Sequence, residues 1–324
     1  MFTHSHTLSF SLSDRAMPSV AKFSLSFDKI NDSGTFSEGD TIRGKVSLEL
    51  LKATKVLSLR VKAQGDVNTK WTERDSDGDL VTRSRHCRLF KKKEFLISTK
   101  LKETVLSPGS HSFSFNLQIP FKTYLPSSFS GEHGSIRYQL EAKLCRRTKR
   151  ARIFQQTFTF WSKLVPRSAL FFPQTASTKA EITTYKGGCV EIEVRLERNT
   201  FAPGEIVNVV AKITNTSNHI VKAGYELTLL VVYSASSSSI STSQFKTLQT
   251  GSGRLVRPQS EQEEEWPICL SPETPLTLHN CELIKSQYNL QVALQVLVHD
   301  AAPKVNVPLF VIAPDSLTKE ESAH

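Results

Sequence analysis

The sequence predicts an all-β protein of two tandem sandwich domains, and two observations carry that reading. The first is alternation. Ile136, Tyr138, Leu140, Ala142 and Leu144 share one face of an extended run, and Arg137, Gln139, Glu141 and Lys143 share the other. Val190, Ile192, Val194 and Leu196 alternate with Glu191, Glu193, Arg195 and Glu197; Leu290, Val292, Leu294, Val296 and Val298 do the same late in the chain. Successive strand residues point to opposite faces, so period two with one apolar face marks a strand lying on a core. Many such runs, divided by turn residues, indicate sandwiches of immunoglobulin-like plan. No segment reads as a long amphipathic helix.

The second observation is an internal repeat. Phe36-Ser-Glu-Gly39-Asp40-Thr-Ile42 resembles Phe201-Ala-Pro-Gly204-Glu205-Ile-Val207, and each copy leads into an alternating strand. In each, an aromatic anchors the approach, Gly permits a turn, and an acid precedes the strand. The copies stand near the start of each half, which argues for two related domains.

In chain order, residues 1–16 read as a flexible Ser- and His-rich extension without the charged start and apolar centre of a secretory signal, and Met17 as the start of the domain sequence. Residues 17–165 form the first domain, 166–178 a linker with two prolines, 179–314 the second domain and 315–324 a short tail. Leu170, Phe171 and Phe172 are apolar for a linker and are expected to pack across the domains. Leu227–Tyr233 reads as a buried strand, and Ser234–Ser243 as an exposed loop. No run of ~18 apolar residues suits a membrane span.

The five cysteines, Cys87, Cys145, Cys189, Cys269 and Cys281, are odd in number and include no Cys-x-x-Cys pair. They read as reduced, mostly buried thiols, with Cys269 and Cys281 in strands as small hydrophobes. Neither a cofactor nor a metal is expected. The nine histidines form no H-E-x-x-H, and the acidic turn Glu73–Asp79 lacks the spacing and distal Glu of a calcium loop. No G-x-S-x-G, phosphate loop or dinucleotide fingerprint points to an enzyme.

Charge is uneven. Through Val165 there are 28 Lys and Arg against 15 Asp and Glu, net +13; beyond it 13 against 16, net −3. A basic first half suggests an anionic partner there. Its strongest feature is Arg146, Arg147, Lys149, Arg150 and Arg152, between two expected strands. This cluster reads either as a site for phosphorylated tails or acidic lipid headgroups, or as a solvated hairpin tip. Lys91, Lys92 and Lys93, after Arg83, Arg85 and Arg88, either extend that surface or protect an edge strand. Glu261, Glu263, Glu264 and Glu265 read as a solvated acidic loop, and Gly251-Ser-Gly253 as a turn. Base-stacking aromatics are missing from the basic clusters apart from Phe90, so nucleic acid is not an expected partner.

Several pieces together resemble the arrestin domain-containing proteins, the α-arrestins. They are Leu125-Pro-Ser-Ser-Phe-Ser-Gly131-Glu-His-Gly134-Ser-Ile136-Arg137-Tyr138, Phe23–Phe27 with Gly39-Asp40, Trp71-Thr72-Glu73, Phe201–Glu205 with Ile213-Thr-Asn215, Cys281-Glu-Leu-Ile284-Lys-Ser-Gln-Tyr288, and Val307-Pro308-Leu309. The resemblance covers about residues 17–314 and looks nearest to the branch of arrestin domain-containing protein 3 and thioredoxin-interacting protein. It implies two arrestin-type sandwiches, N- and C-terminal, in a cytoplasmic, non-enzymatic adaptor peripheral to the plasma membrane and endosomes. Expected partners are cytoplasmic parts of receptors or transporters, endosomal sorting proteins and anionic lipid headgroups; the expected outcome is altered endocytosis, sorting and signalling. Glu73, Asp75, Asp77 and Asp79 fall roughly where the family has its receptor-probing loop. The sequence departs from the family in having no Pro-Pro pair, hence no Pro-Pro-x-Tyr motif for a WW-domain ubiquitin ligase. Alternative readings are a retromer-type sorting coat component or a tail-less competitor of ligase-recruiting relatives.

Overall fold

A computed structural model describes residues 19–98, 104–121, 124–147, 149–164, 175–181, 188–235, 240–296 and 304–317. The first domain contains β1 (Val20–Phe27), β2 (Thr35–Phe36), β3 (Thr41–Leu50), β4 (Thr54–Arg74), β5 (Leu80–Ile97), β6 (Thr104–Leu106), β7 (Gly109–Gln118), β8 (Phe129–Ser130), β9 (Gly134–Arg146) and β10 (Arg152–Phe160). One sheet runs β1-β3-β7. The other runs β2-β10-β9-β4-β5, with β6 beside β4 and β8 beside β9. Between them lies the core predicted from the alternation: Ile136, Tyr138, Leu140, Ala142 and Leu144 are at most 1% exposed, against Val46, Leu48, Val61 and Phe115.

The second domain contains β11 (Thr175–Glu181), β12 (Cys189–Leu196), β13 (Thr200–Phe201), β14 (Ile206–Asn215), β15 (Val221–Ser234), β16 (Ser241–Val256), β17 (Ser260–Cys269), β18 (Ile284–Val296), β19 (Lys304–Val311) and the single-turn α1 (Pro314–Leu317). Its sheets run β11-β12-β14-β17 and β13-β19-β18-β15-β16. The architecture is the expected pair of β-sandwiches. β11 begins inside the span read as linker and pairs antiparallel with β12. Residues 1–16, Met17 and the Leu170–Phe172 trio lie outside the described residues.

The repeat folds the same way twice. Phe36 and Phe201 are buried, and each sits on a two-residue strand pairing in parallel with the domain's last strand, β10 or β19. Gly39 and Gly204 take φ of 85° and 88°, the left-handed region that Gly enters without a Cβ penalty. The following acids turn back on the corner: Asp40 Oδ2 accepts the Ser37 N–H at 2.7 Å, and Glu205 Oε2 accepts the Ala202 N–H at 2.7 Å. Tyr138 and Tyr288, both buried, donate to Pro126 O at 2.5 Å and Pro275 O at 2.6 Å.

Side chains cross between the domains. Thr69 Oγ1 donates to Ser234 O at 2.8 Å, Asn280 Nδ2 to Leu125 O at 3.1 Å, and Gln244 Nε2 to Glu132 Oε2 at 2.6 Å. The His133 ring meets the fully buried Tyr233 edge-on at 5.4 Å.

Five local expectations are corrected, in whole or in part. Glu261–Glu265 lie in β17, not in a loop: Lys212 Nζ pairs with Glu261 Oε1 at 2.8 Å, and the buried Glu264 accepts the Arg254 N–H at 2.9 Å. Pro267 is tolerated there because β17 is an edge strand. Gly251 and Gly253 sit within β16, where a Cβ would strike the Tyr225 ring and the Glu264 carboxyl respectively. Of the cysteines only Cys281 is buried, and it precedes β18; Cys269 ends β17 exposed, Cys87 is exposed, and Cys145 and Cys189 are half-buried. Within β15, Leu227, Leu229, Val231 and Tyr233 are buried, whereas Leu230 and Val232 are half-exposed on the opposite face. Of the expected loop at Ser234–Ser243, Ser234 ends β15, Ser241–Ser243 begin β16, and residues 236–239 lie outside the described set.

Candidate functional site

The outward face of the first domain's larger sheet gathers cations that are dispersed in sequence. Strand register sets Lys62 opposite Lys93 on β5 and opposite Glu141 on β9, and Gln64 opposite Lys91 and Gln139. One row away Arg60 faces Lys143; on the other side Asp66 lies between Arg88 and Arg137. The intervening residues Val61, Ala63, Leu140 and Ala142 are buried beneath, so these polar rows share the other face.

Two carboxylates stand on this face, and both are engaged. Asp66 Oδ1 takes Arg88 Nε and His86 Nε2, each at 2.9 Å. Glu141 is held by Lys62 Nζ at 3.1 Å, Arg60 Nη2 at 3.5 Å and Gln155 Nε2 at 3.1 Å. Burial opposes the Glu141 charge, but hydrogen bonds from Lys62 and Gln155 and the charges of Lys62 and Arg60 outweigh it, leaving its carboxyl below the ordinary range. Among the described residues, Lys91, Lys93, Lys143 and Arg137 have no carboxylate partner. Lys93 beside it, then desolvation, then Arg88, Lys62 and Arg60 push the Lys91 ammonium down from its usual pKa. Cations crowded in this way repel one another, and a bound anion relieves that repulsion. Arg137 also lines a cleft of about 450 Å³, which mixes hydroxyl residues such as Ser128 and Thr157 with the aromatic Phe129 and Phe158.

The sequence-based candidates divide on this frame. Lys91 and Lys93 project onto the cationic face; Lys92, opposite the inward Ala63, alternates to the other side of β5, itself the edge strand. The Arg146–Arg152 cluster does form a hairpin tip, between β9 and β10. Its members differ in state. Arg146 is half-buried and donates to Ser19 Oγ at 3.2 Å and Arg150 O at 3.1 Å, tying the tip to the start of β1. Burial, then Arg152, lower its pKa, and its Nε is buried without a partner. Arg147 also has a partner. Lys149 and Arg150 are exposed and Arg152 half-buried. Lys143 and Arg60 stand between this tip and Lys93, making one basic surface.

Glu73, Asp75, Asp77 and Asp79 lie at the β4–β5 hairpin. Glu73 accepts Trp71 Nε1 and Arg83 Nε, both at 2.8 Å, and these bonds, Trp71 first, hold its carboxyl below the ordinary value. Asp75 Oδ1 caps the turn by accepting the Asp77 and Asp79 N–H groups at 3.1 and 2.9 Å, around Gly78 at φ 86°. Glu73 and Asp75 therefore shape the hairpin, while Asp77, Asp79 and the 69%-exposed Leu80 are presented at its tip.

Arg60, Lys62, Lys143 and Arg137 were missed by sequence reasoning, which sought runs of charge. Their signal was the identity of the polar residues in the alternating strands: Arg60-x-Lys62 in one, and Arg137 and Lys143 at the two ends of another polar row.

Lys91, Lys93 and Arg137 are exposed on this face of the first sandwich, around the buried Lys62, Asp66 and Glu141. Residues 23–165 match the N-terminal domain of arrestin (or S-antigen), and residues 186–315 match its C-terminal domain. The chain is similar to human arrestin domain-containing protein 4, 24% identical over 274 residues covering 81% of this chain and 65% of that protein. It is 25% identical to human arrestin domain-containing protein 5 over 268 residues, 80% and 72% of the two chains. With arrestin domain-containing protein 17 of Caenorhabditis elegans it shares 27% over 218 residues, 62% and 50%. The chain belongs to the arrestin domain-containing family, whose domains typically serve as non-catalytic adaptors in trafficking. It spans 65% of the length of arrestin domain-containing protein 4. No described helix is long and apolar enough to cross a membrane.

Proposed function

We propose that the chain is an adaptor that docks phosphorylated or acidic cytoplasmic segments of membrane receptors or transporters on the cationic face of its first domain, and thereby influences their endocytosis and endosomal sorting. The observation that carries this is the set Lys91, Lys93, Lys143 and Arg137, cations on one face without carboxylate partners among the described residues. Arg60, Lys62, Lys149, Arg150 and Arg152 reinforce the field, while Arg146 and Lys92 play lesser parts. The β4–β5 hairpin tip, with Asp77 and Asp79, would probe the receptor beside it. This role places the protein at the cytoplasmic side of the plasma membrane and endosomes, among sorting proteins. Kinship with the branch of arrestin domain-containing protein 3 and thioredoxin-interacting protein belongs to the same proposal, supported by the Cys281–Tyr288 run.

The test is fluorescence anisotropy with a doubly phosphorylated peptide and its unphosphorylated twin, using the parent and the Lys91→Glu/Lys93→Glu/Lys143→Glu variant. Expected are tighter binding of the phosphopeptide, weakening with salt as screening shortens to ~8 Å at 0.15 M, and loss in the variant. Equal binding by parent and variant overturns the site. Liposomes carrying anionic lipid form a separate arm; retention on them without phosphopeptide binding assigns the face to membrane instead.

A further inference from the structure

We propose that the free edge of β16 is a dimerisation surface, on which a second copy of the chain lays its own β16 antiparallel about a two-fold axis through Phe245.

β16 ends the order β13-β19-β18-β15-β16, so one side of it pairs with β15 and the other presents backbone N–H and C=O groups. Part of that side is covered. Glu264 of β17 accepts the Arg254 N–H at 2.9 Å and lies against Gly253. Among the described residues no strand pairs with the far side of Ser241–Thr247. This stretch runs in unbroken register with Thr228–Ser234, up to the irregularity at Leu248. It is also tied down, since Gln244 Nε2 donates to Glu132 Oε2 of the first domain at 2.6 Å. The edge is therefore regular and fixed before a partner arrives, which lowers the entropic cost of pairing.

Native edges are blunted by charge, proline or a bulge. β5, which holds the same place at the end of the first domain's larger sheet, carries six Lys and Arg. β17, another edge, carries Glu261, Glu263, Glu265 and Pro267. Ser241–Thr247 has no proline, no acid and one cation, Lys246. Phe245 stands in its middle, 72% exposed.

The sequence of this stretch suits pairing with itself. About an axis at Phe245, each Lys246 falls opposite Gln244 of the second copy and each Thr247 opposite Ser243, so no like charges meet. Phe245 falls opposite its own counterpart. Within the chain Leu230 already lies opposite Phe245. The two rings thus close one apolar row, Leu230 and Phe245 from one copy meeting Phe245 and Leu230 from the other. Directly opposed aromatics are among the favourable cross-strand pairs. The contact is made by the weakly charged half of the chain, net −3 from Pro166 onward against +13 before it. The product is an isologous dimer, closed by its own symmetry, with the two five-stranded sheets joined edge to edge. It makes no use of the cationic face of the first domain.

The experiment is sedimentation equilibrium of the full chain and of Phe245→Lys and Phe245→Glu, each alone and then mixed in equal amounts. Expected are a reversible dimer of the parent, a dissociation constant raised about tenfold or more in each variant alone, and recovery in the mixture, where Lys and Glu face each other across the axis. Phe245 is exposed, so both variants should keep the parent's circular dichroism spectrum. The Lys91→Glu/Lys93→Glu/Lys143→Glu variant should dimerise as the parent does. A parent that stays monomeric overturns the proposal and leaves the edge to an extended segment of another protein. Undiminished dimers in both Phe245 variants, or a mixture no stronger than its components, overturn the two-fold contact at Phe245. Dimers lost only in the triple variant move the contact to the cationic face and overturn it equally.

Discussion

Gly131 of the first domain and Tyr233 of the second are in such close apposition that a single methyl group at Gly131 would collide with the tyrosine hydroxyl. Gly131 N–H also donates to Gly134 O at 2.9 Å, so the turn that receives the ring is itself fixed. Gly131→Ala is expected to destabilise by about 1–3 kcal/mol, the usual range for overpacking. Tyr233→Phe in the same chain removes the atom struck first and should recover part of that loss. Thermal unfolding of the two single variants and the double variant measures the coupling; strict additivity would place the clash elsewhere.

Tyr138 and Tyr288 hold equivalent hydrogen bonds, one per domain. Burial raises both phenols well above their ordinary pKa, so each remains a neutral donor throughout the accessible pH range. Replacement by Phe leaves a carbonyl without its donor. Each substitution is expected to cost about 1–3 kcal/mol, read from denaturant midpoints with unchanged m-value.

Glu141 makes stability depend on acid. Its folded carboxyl lies below the ordinary 4.5. It therefore contributes stability that is fully present above that value and is lost as pH falls through the folded pKa. Lys62→Met removes its leading hydrogen bond within a nearly buried site, where desolvation then dominates. Expected are a loss of about 1–3 kcal/mol at neutral pH and a flatter stability profile below pH 4.5 than in the parent. Denaturation curves between neutral and acidic pH check both.

The acid of each repeat corner works on the backbone. Asp40→Ala strands the Ser37 N–H, and Glu205→Ala strands that of Ala202 while also freeing Arg198, now 3.0 Å from Glu205. Each is expected to lower stability by about 1 kcal/mol, as for the loss of a capping side chain. Asp40→Asn, which retains an acceptor, should lose less. Calorimetry of the three variants decides.

The fold was largely legible because burial imposes period two on a sandwich strand. Ile136–Leu144 and Val190–Leu196 display that period openly, and the Phe-x-x-Gly-acid corners mark both domains. Composition misled where it stood in for position. Glu261–Glu265 read as loop, yet they alternate along an edge strand whose Lys212 neighbour comes from β14. Gly251 and Gly253 read as a turn, but there the small residue makes room for a side chain from elsewhere in the domain. The candidate site was half visible. Lys91 and Lys93 stood out as a run, whereas Arg60, Lys62, Lys143 and Arg137 meet them through strand pairing, which no linear window reveals. Arg146 looked equivalent to its neighbours until the fold turned it toward Ser19.

The short parallel pairs of β2 with β10 and of β13 with β19 fasten the opening of each domain to its final strand. During synthesis neither domain can close until its last strand has left the ribosome, near Phe160 for the first and Val311 for the second. Until then the emerging chain displays long apolar strands beside a strongly cationic hairpin. Pairing between such distant segments is slow, and open strands invite aggregation meanwhile. Closure of the first domain thus waits on Thr159 and Phe160, the last residues to emerge, which lock Thr35 and Phe36 in place.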